Sequence, residues 1–318
     1  MHPYITRRVL ASIPVLVVLA SLTFFLLRLV PGDPATLIAG HEATPEEYQF
    51  VKENLGLDKP VHMQLWTWVS NMAQGDFGKS LRSGLPVFDL IKGRLEPTLS
   101  LTVTTQLLAM LIAIPLGVIA AWKANTIIDR FIMLFCAIAF SVPVFWLGYI
   151  FIWLFGLWAF GRDEAILPVA TFVPIGEDPW EFLRHMILPV VSLGLLVLAG
   201  IARMTRASVL EVLKEDYIRT ARAKGLSERI VLIRHALRNA SLPIITIIGL
   251  GLAGLLSGAV VTENVYAIPG LGRMAAEAIS TRDYPIIQGL IILIGAAYVY
   301  INLIIDIAYA FLDPRIRY

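Results

Sequence analysis

PTLSLTVTTQLLAMLIAIPLGVIAAW, residues 97–122, contains no charged side chain. An apolar helix of about 20 residues crosses the hydrocarbon core of a bilayer. Inside lipid every backbone amide must bond within the protein, so a single stretch of this kind reads as a helix. Five more stretches read the same way: 9–30, with Arg28 near its end; 131–160, long enough to tilt or to include an interfacial turn; 186–202, the shortest; 242–262; and 285–311, with Asp306 near its end. The expected fold class is all-α and integral to the membrane, with six transmembrane helices. Pro14, Pro115, Pro143 and Pro189 fall inside or at the ends of these stretches and are expected to bend them.

The composition agrees. Hydrophobic residues make up 57% of the 318 and charged residues 16%, where a soluble domain carries roughly a quarter charged. The charges sit between the apolar blocks. A formal net charge of +2 is too small to indicate a partner. The single cysteine, Cys136, excludes an intramolecular disulfide and a cysteine-rich metal site and reads as a small buried hydrophobe. The basic start of the chain followed by an apolar run resembles a signal peptide. The run is long, however, no small-residue cleavage site follows, and Pro31-Gly32-Asp33-Pro34 comes next, so an uncleaved first membrane helix is expected.

Lys and Arg between the spans set the expected orientation. With the N-terminus in the cytoplasm, the inside segments hold Arg7 and Arg8, Lys123 and Arg130, nine basic residues between Arg203 and Arg238, and Arg315 and Arg317. The outside loops after the third and fifth helices hold Arg162, Arg184, Arg273 and Arg282. The long first outside segment holds six basic residues, and long segments cross largely regardless of charge. Both termini are therefore expected to be cytoplasmic. In the first outside segment, Thr44-Pro45-Glu46-Glu47 reads as a helix start, with a stop near Gly56. A second helix places Val61, Leu65, Val69 and Met72 on one face, with Trp66 and Trp68 suited to a membrane interface, and ends near Gly75.

The stretch 203–239 is the richest in function. Residues 208–224 read as a helix with Glu215 and Arg219 four apart. Gly225 is expected to stop it, and Ser227 to cap a second helix reaching about Asn239. Positive charge alone would set topology, but a short loop would serve that purpose equally well. Asp216-Tyr217-Ile218-Arg219-Thr220-Ala221-Arg222-Ala223-Lys224-Gly225-Leu226 resembles the EAA loop of ABC importer permeases, in the version of the dipeptide/oligopeptide branch. Of the general Glu-Ala-Ala-(three residues)-Gly pattern only Ala221 and Gly225 match, Arg219 and Thr220 standing at the first two positions. The branch's version continues with His235-Ala236-Leu237-Arg238-Asn239-Ala240 and Pro243, as here. Pro31-Gly32-Asp33-Pro34, Leu55-Gly56-Leu57-Asp58, Gly75-Asp76-Phe77-Gly78, Pro269-Gly270-Leu271-Gly272-Arg273, Arg282-Asp283-Tyr284-Pro285, Asn302, Asp306 and Asp313-Pro314-Arg315-Ile316-Arg317 extend the likeness over almost the whole length.

That resemblance implies a type I importer permease: residues 1–96 as the first helix and outside segment, 97–311 as the permease core, and 312–318 as a short cytoplasmic tail. It implies that residues 216–226 dock on a cytoplasmic ATPase subunit, with Gly225 making the turn. It also implies a second, different permease subunit, two ATPase subunits that use ATP and Mg, and a solute-binding protein docking near Pro269, Gly270, Leu271 and Gly272. No cofactor is expected on this chain, nor catalysis of its own, and the expected location is the bacterial inner membrane. Pathway or gating candidates are Arg28, Asp33, Gly254, Gly258 and Asp306. Arg28 could instead snorkel to the surface, Asp306 could pair with an Arg of the basic loop, and Gly254 with Gly258 forms a small-xxx-small pair for close packing.

Other classes fare worse. A membrane enzyme needs polar catalytic groups at one depth, and the apolar stretches hold no paired carboxylates or metal-spaced histidines. A nucleic-acid binder is hinted at by the basic helix-Gly-helix, but the loop is tethered at both ends beside the membrane. Gly78-Lys79-Ser80 imitates a phosphate loop, yet Ala73 stands where the first glycine belongs. His41-Glu42 lacks a second histidine, since Pro45 takes its place. The cargo expected from branch membership is a dipeptide or oligopeptide, with glutathione and chelated nickel as alternatives.

Overall fold

The computed structural model describes residues 2–29, 36, 44–54, 58–157 and 165–312. Asp33, His41, Glu42, Gly56, Arg162, residues 313–317 and the Arg28 side chain lie outside what is described. The described helices are α1 (His2–Leu29), α2 (Pro45–Asn54), α3 (Val61–Ala73), α4 (Val87–Trp122), α5 (Ile127–Ser141) and α6 (Val144–Phe151), which runs on as a π-helix, Ile152–Leu157. There follow α7 (Pro179–Val212), α8 (Asp216–Ala223), α9 (Glu228–Ile230), which continues as a π-helix over Val231–Leu237, α10 (Ser241–Val265), α11 (Leu271–Thr281) and α12 (Tyr284–Leu312).

Among the described residues five helices are long and apolar enough to cross a membrane: Thr6–Phe25 within α1, then α4, α7, α10, and Tyr284–Tyr309 within α12. The remaining expected span, 131–160, is not one rod. It is the pair Ile127–Ser141 and Val144–Gly156, bent by 94°. Proline explains the break. Pro143 has no N–H and disfavours helical backbone in the residue before it; Val142 is extended, at φ −83° and ψ 124°. Pro14, Pro115 and Pro189 lie inside continuous helices.

The chain divides into two compact units. Residues 1–4, 95–273 and 301–318 form the first. Its core is built where α4, α7 and α10 meet, around Leu101, Leu193, Leu255 and Ala259. A second cluster is rich in alanine: Ala109, Ala113, Ala120, Ala199 and Ala202, with Cys136 fully buried among them as expected. Small residues let membrane helices approach closely. At Gly117 a Cβ would lie 2.6 Å from Thr205 Cβ, and at Gly249 one would lie 1.9 Å from Ile305 Cδ1. The expected Gly254–Gly258 pair does not set these contacts. A Cβ at Gly258 would lie 3.2 Å from Leu193 Cδ1, and Gly254 has open space where a Cβ would stand.

Residues 5–94 and 274–300 form the second unit. Gly295 lets α12 close on Leu19 of α1, and Gln288 Nε2 donates to the Thr23 carbonyl at 3.3 Å. Trp68 packs against Phe24 at 5.7 Å between ring centroids, while Trp66 is 75% exposed. Helix α3 stops where expected, Gly75 following at φ +86°. The buried Asp283 carboxylate accepts from Ser80 Oγ at 2.6 Å and from the Leu81 and Arg82 amides at 3.2 and 3.4 Å. Gly78-Lys79-Ser80 is thus part of a turn folded onto a carboxylate, not a phosphate cradle.

Glycine contacts separate two kinds of site. A Cβ at Gly272 would lie 2.5 Å from Val260 Cα and 2.8 Å from its N, and that backbone cannot rotate away. Gly272→Ala is expected to cost about 1–3 kcal/mol and to lower the thermal unfolding midpoint in detergent. Gly254→Ala should leave that midpoint unchanged.

Candidate functional site

The basic stretch forms a folded unit at one end of the first unit. The sequence reading placed one helix over 208–224. Instead α7 ends at Val212, three residues turn, and α8 starts at Asp216. The turn has its own bonds, Lys214 N–H to the Glu211 carbonyl and Glu215 N–H to the Val212 carbonyl, both 3.1 Å. Helix α8 is amphipathic. Ile218 and Ala221 are buried in one apolar cluster with Ala121, Val209, Val231, Ala236, Ala240 and Ile244, and α8 packs on the following π-helix. Asp216, Arg219, Thr220, Arg222, Ala223, Lys224 and Gly225 are exposed.

Gly225 ends α8 as expected, at φ +78°. Its N–H bonds the Arg222 carbonyl at 2.9 Å, and Leu226 N–H reaches the Ala221 carbonyl at 3.4 Å. These are the two bonds of a Schellman cap, which glycine makes without steric cost. Across the turn, Arg222 clasps Glu228 with contacts of 2.8 and 3.3 Å. Arg219 bonds Asp216 at 3.2 Å, one turn back, rather than the expected Glu215. Ser227 makes no side-chain cap bond, and the helix it precedes is only Glu228–Ile230 before the π-helix begins. The outer surface carries apolar side chains as well as charges: Tyr217, Leu226, Ile230 and Ile233 are all at least 37% exposed. Partial burial pushes the Tyr217 hydroxyl pKa up, its hydrogen bond with Asn239 opposing, so it is neutral near pH 7.

Among the described residues an ion pair joins the start of this stretch to a neighbouring helix. Arg206, on α7, makes a two-pronged contact with Asp129 on α5, Nε to Oδ1 at 2.6 Å and Nη2 to Oδ2 at 2.7 Å. Asp129 is 3% exposed and also accepts the Asn125 N–H at 2.9 Å, so it ties the turn after α4 to the helix that leads into α8. Arg206, Arg219 and Arg222 pair with Asp129, Asp216 and Glu228. Asp306, which the sequence offers as a partner for an Arg of the basic loop, sits half-buried on α12 and has interactions of its own. Neither Asp129 nor its reach to Arg206 was legible, because 77 residues separate them.

At the other end of α10, Glu263 is fully buried. Its carboxylate accepts from Thr98 Oγ1 at 2.5 Å and from the Arg273 N–H at 2.9 Å. Thr98 in turn accepts the Leu271 N–H at 2.8 Å. A Cβ at Gly270 would lie 2.3 Å from the Glu263 carboxyl carbon. Glycine at 270 and 272 thus lets this loop close on Glu263 and on the Val260 backbone. Sequence reasoning singled out Pro269, Gly270, Leu271 and Gly272 and missed the carboxylate that holds them. Among the described residues no cluster of His, Cys, Asp or Glu could hold a metal ion.

Asp129→Asn leaves the Arg206 fork a neutral partner. Removing one member of a buried pair costs about 3 kcal/mol, reduced here because Arg206 is one-quarter exposed. A thermal shift in detergent is the expected readout, and the exposed Asp216→Asn should give none.

Residues 113–318 match the family described as binding-protein-dependent transport system inner membrane component, and residues 1–102 match that family's N-terminal region. A probable peptide ABC transporter permease protein, y4tP of Sinorhizobium fredii, is 46% identical over the whole of both chains. The dipeptide transport system permease protein DppB of Alkalihalophilus pseudofirmus is 39% identical, again over all of both. The glutathione transport system permease protein GsiC of Escherichia coli is 43% identical over 99% of each. Two solved inward-facing forms of the MetNI methionine ABC transporter share the fold over 70% of this chain and 96% of theirs. Their TM-scores are 0.54 and 0.55 at 17% and 18% identity. The chain therefore belongs to the binding-protein-dependent transport system inner membrane component family and is a multi-pass permease subunit of an ABC importer.

Proposed function

We propose that residues 216–226 are the surface through which ATP hydrolysis in partner subunits drives this permease. The observation that carries this reading is the build of α8. Its inner face is fixed by Ile218 and Ala221, its end is closed by the Gly225 cap, and its outer face presents charges with Tyr217 and Leu226 among them. A helix seated in this way moves as a rigid body with the elements beneath it, and the Arg206–Asp129 fork carries that movement into α5.

In this reading the basic end and both termini are cytoplasmic, in the inner membrane of a bacterium. Two ATPase subunits bind ATP and Mg there. A solute-binding protein docks at the opposite end, near Pro269, Gly270, Leu271 and Gly272. A second, different permease subunit completes the pathway, and the open face at Gly254 is turned toward it. The chain itself performs no catalysis and binds no cofactor. The cargo is a dipeptide or oligopeptide, in keeping with what the similar permeases are named for.

The test is co-expression with the partner permease and ATPase subunits, with Gly225 intact and as Gly225→Arg. An L-residue at this φ costs about 1–2 kcal/mol, and the added side chain stands on the docking face. The intact complex should co-purify with ATPase and show hydrolysis stimulated by the binding protein. The variant should lose the ATPase, or retain it without stimulation. Absence of ATPase from both preparations would overturn the reading.

A further inference from the structure

Arg203 counts as a loop residue by sequence, yet the structure aims it the other way. It lies within α7, and its Nε donates to the Ala199 carbonyl, one turn back, at 3.2 Å. Its guanidinium carbon sits 4.4 Å from the centroid of the Phe140 ring. Asp129, the third residue of α5, marks the polar end of the span, where it meets Arg206. Phe140 is eleven residues further along the same helix, about 16 Å at 1.5 Å per residue. The Arg203 side chain thus runs from the polar end toward the middle of the span. A snorkelling arginine would run outward to the headgroups.

At that depth the cation has a carbonyl of its own helix and the face of an aromatic ring, a cation–π contact. No carboxylate lies within ion-pair distance of it among the described residues. Arg203 is exposed and Phe140 is 51% exposed, so the two open onto one space. Facing hydrocarbon, such a group would be costly, and intramembrane charges are found facing cavities and ion or solute paths. Its unused Nη groups form the planar fork that matches a carboxylate with two parallel hydrogen bonds.

We propose that Arg203 faces the translocation pathway and binds the terminal carboxylate of the peptide cargo as it passes, with Phe140 as the wall that holds the guanidinium. This rests on the peptide-import reading above. It adds a specificity step inside the membrane, separate from selection by the binding protein.

The experiment uses the full importer in proteoliposomes: this chain, its partner permease, the ATPase subunits and the binding protein. ATP-driven uptake of labelled dialanine is compared with that of dialanine amide, each at a concentration shown by titration to saturate the binding protein. The wild type should import the free carboxylate at least tenfold faster. Arg203→Gln should bring that ratio to about one, and Arg203→Lys, which keeps the charge without the fork, should give an intermediate ratio. Equal slowing of both peptides in Arg203→Gln would mean that the cation pairs with a carboxylate of the partner permease. No change in either would mean that it faces lipid. Either outcome, or a wild-type ratio of one, overturns the proposal. If Arg203→Gln does not assemble, Arg203→Lys decides alone, and a ratio equal to the wild type's overturns it. A wild-type complex that imports neither peptide sinks the import reading itself.

Discussion

In hydrocarbon a backbone amide has no water to bond to, and each unpaired group costs several kcal/mol. That constraint accounts for where this chain is regular and where it is not. Helix α7 runs through 34 residues, its ladder lacking only the donor that Pro189 cannot supply, and ends after Val212, where charged side chains take over. The turn at Leu213–Glu215, the Gly225 cap and the loop at 267–270 all lie beyond the apolar runs, and their amides still find partners. Among the described residues the sharp break inside an apolar stretch falls at Pro143, where the preceding Val142 turns extended, and Val142 itself still bonds Ile138.

Within that frame, three buried carboxylates hold elements that the chain order keeps apart. Asp129 joins α5 to α7, Glu263 joins α10 to α4 and to the first turn of α11, and Asp283 gathers the turn at 80–82. An unpaired buried carboxylate would be strongly unfavourable. Each of these has at least two donors within 3.2 Å, so each acts as a point of fixed geometry. The first holds the helix that leads into the proposed ATPase-facing helix, and the second holds the loop proposed to meet the binding protein. Both ends of the permease core are therefore positioned by polar contacts rather than by apolar packing alone.

The apolar blocks, helix α3 and the Gly225 turn were legible in the sequence because each has a local cause: length, periodicity, or a residue that tolerates positive φ. The motif residues of the basic stretch were legible by resemblance. What could not be read was tertiary. Asp129 and Glu263 are single carboxylates at helix ends, and nothing nearby in sequence names Arg206 or Thr98 as a partner. The break between Val212 and Asp216 was missed because residues 208–224 suit a helix throughout, and it is the burial of Ile218 and Ala221 that redirects the chain. Arg203 was assigned to a loop because charge was taken to mean solvent.

The central claim is that α8 meets an ATPase subunit while the loop at 269–272 meets a binding protein, on opposite sides of the membrane. Site-specific photo-crosslinking in the assembled importer tests it most directly, with the reactive group placed at the exposed Tyr217 in one preparation and at the half-buried Pro269 in another. An ATPase adduct is expected from position 217 and a binding-protein adduct from position 269. An ATPase adduct from 269, or a binding-protein adduct from 217, would contradict it.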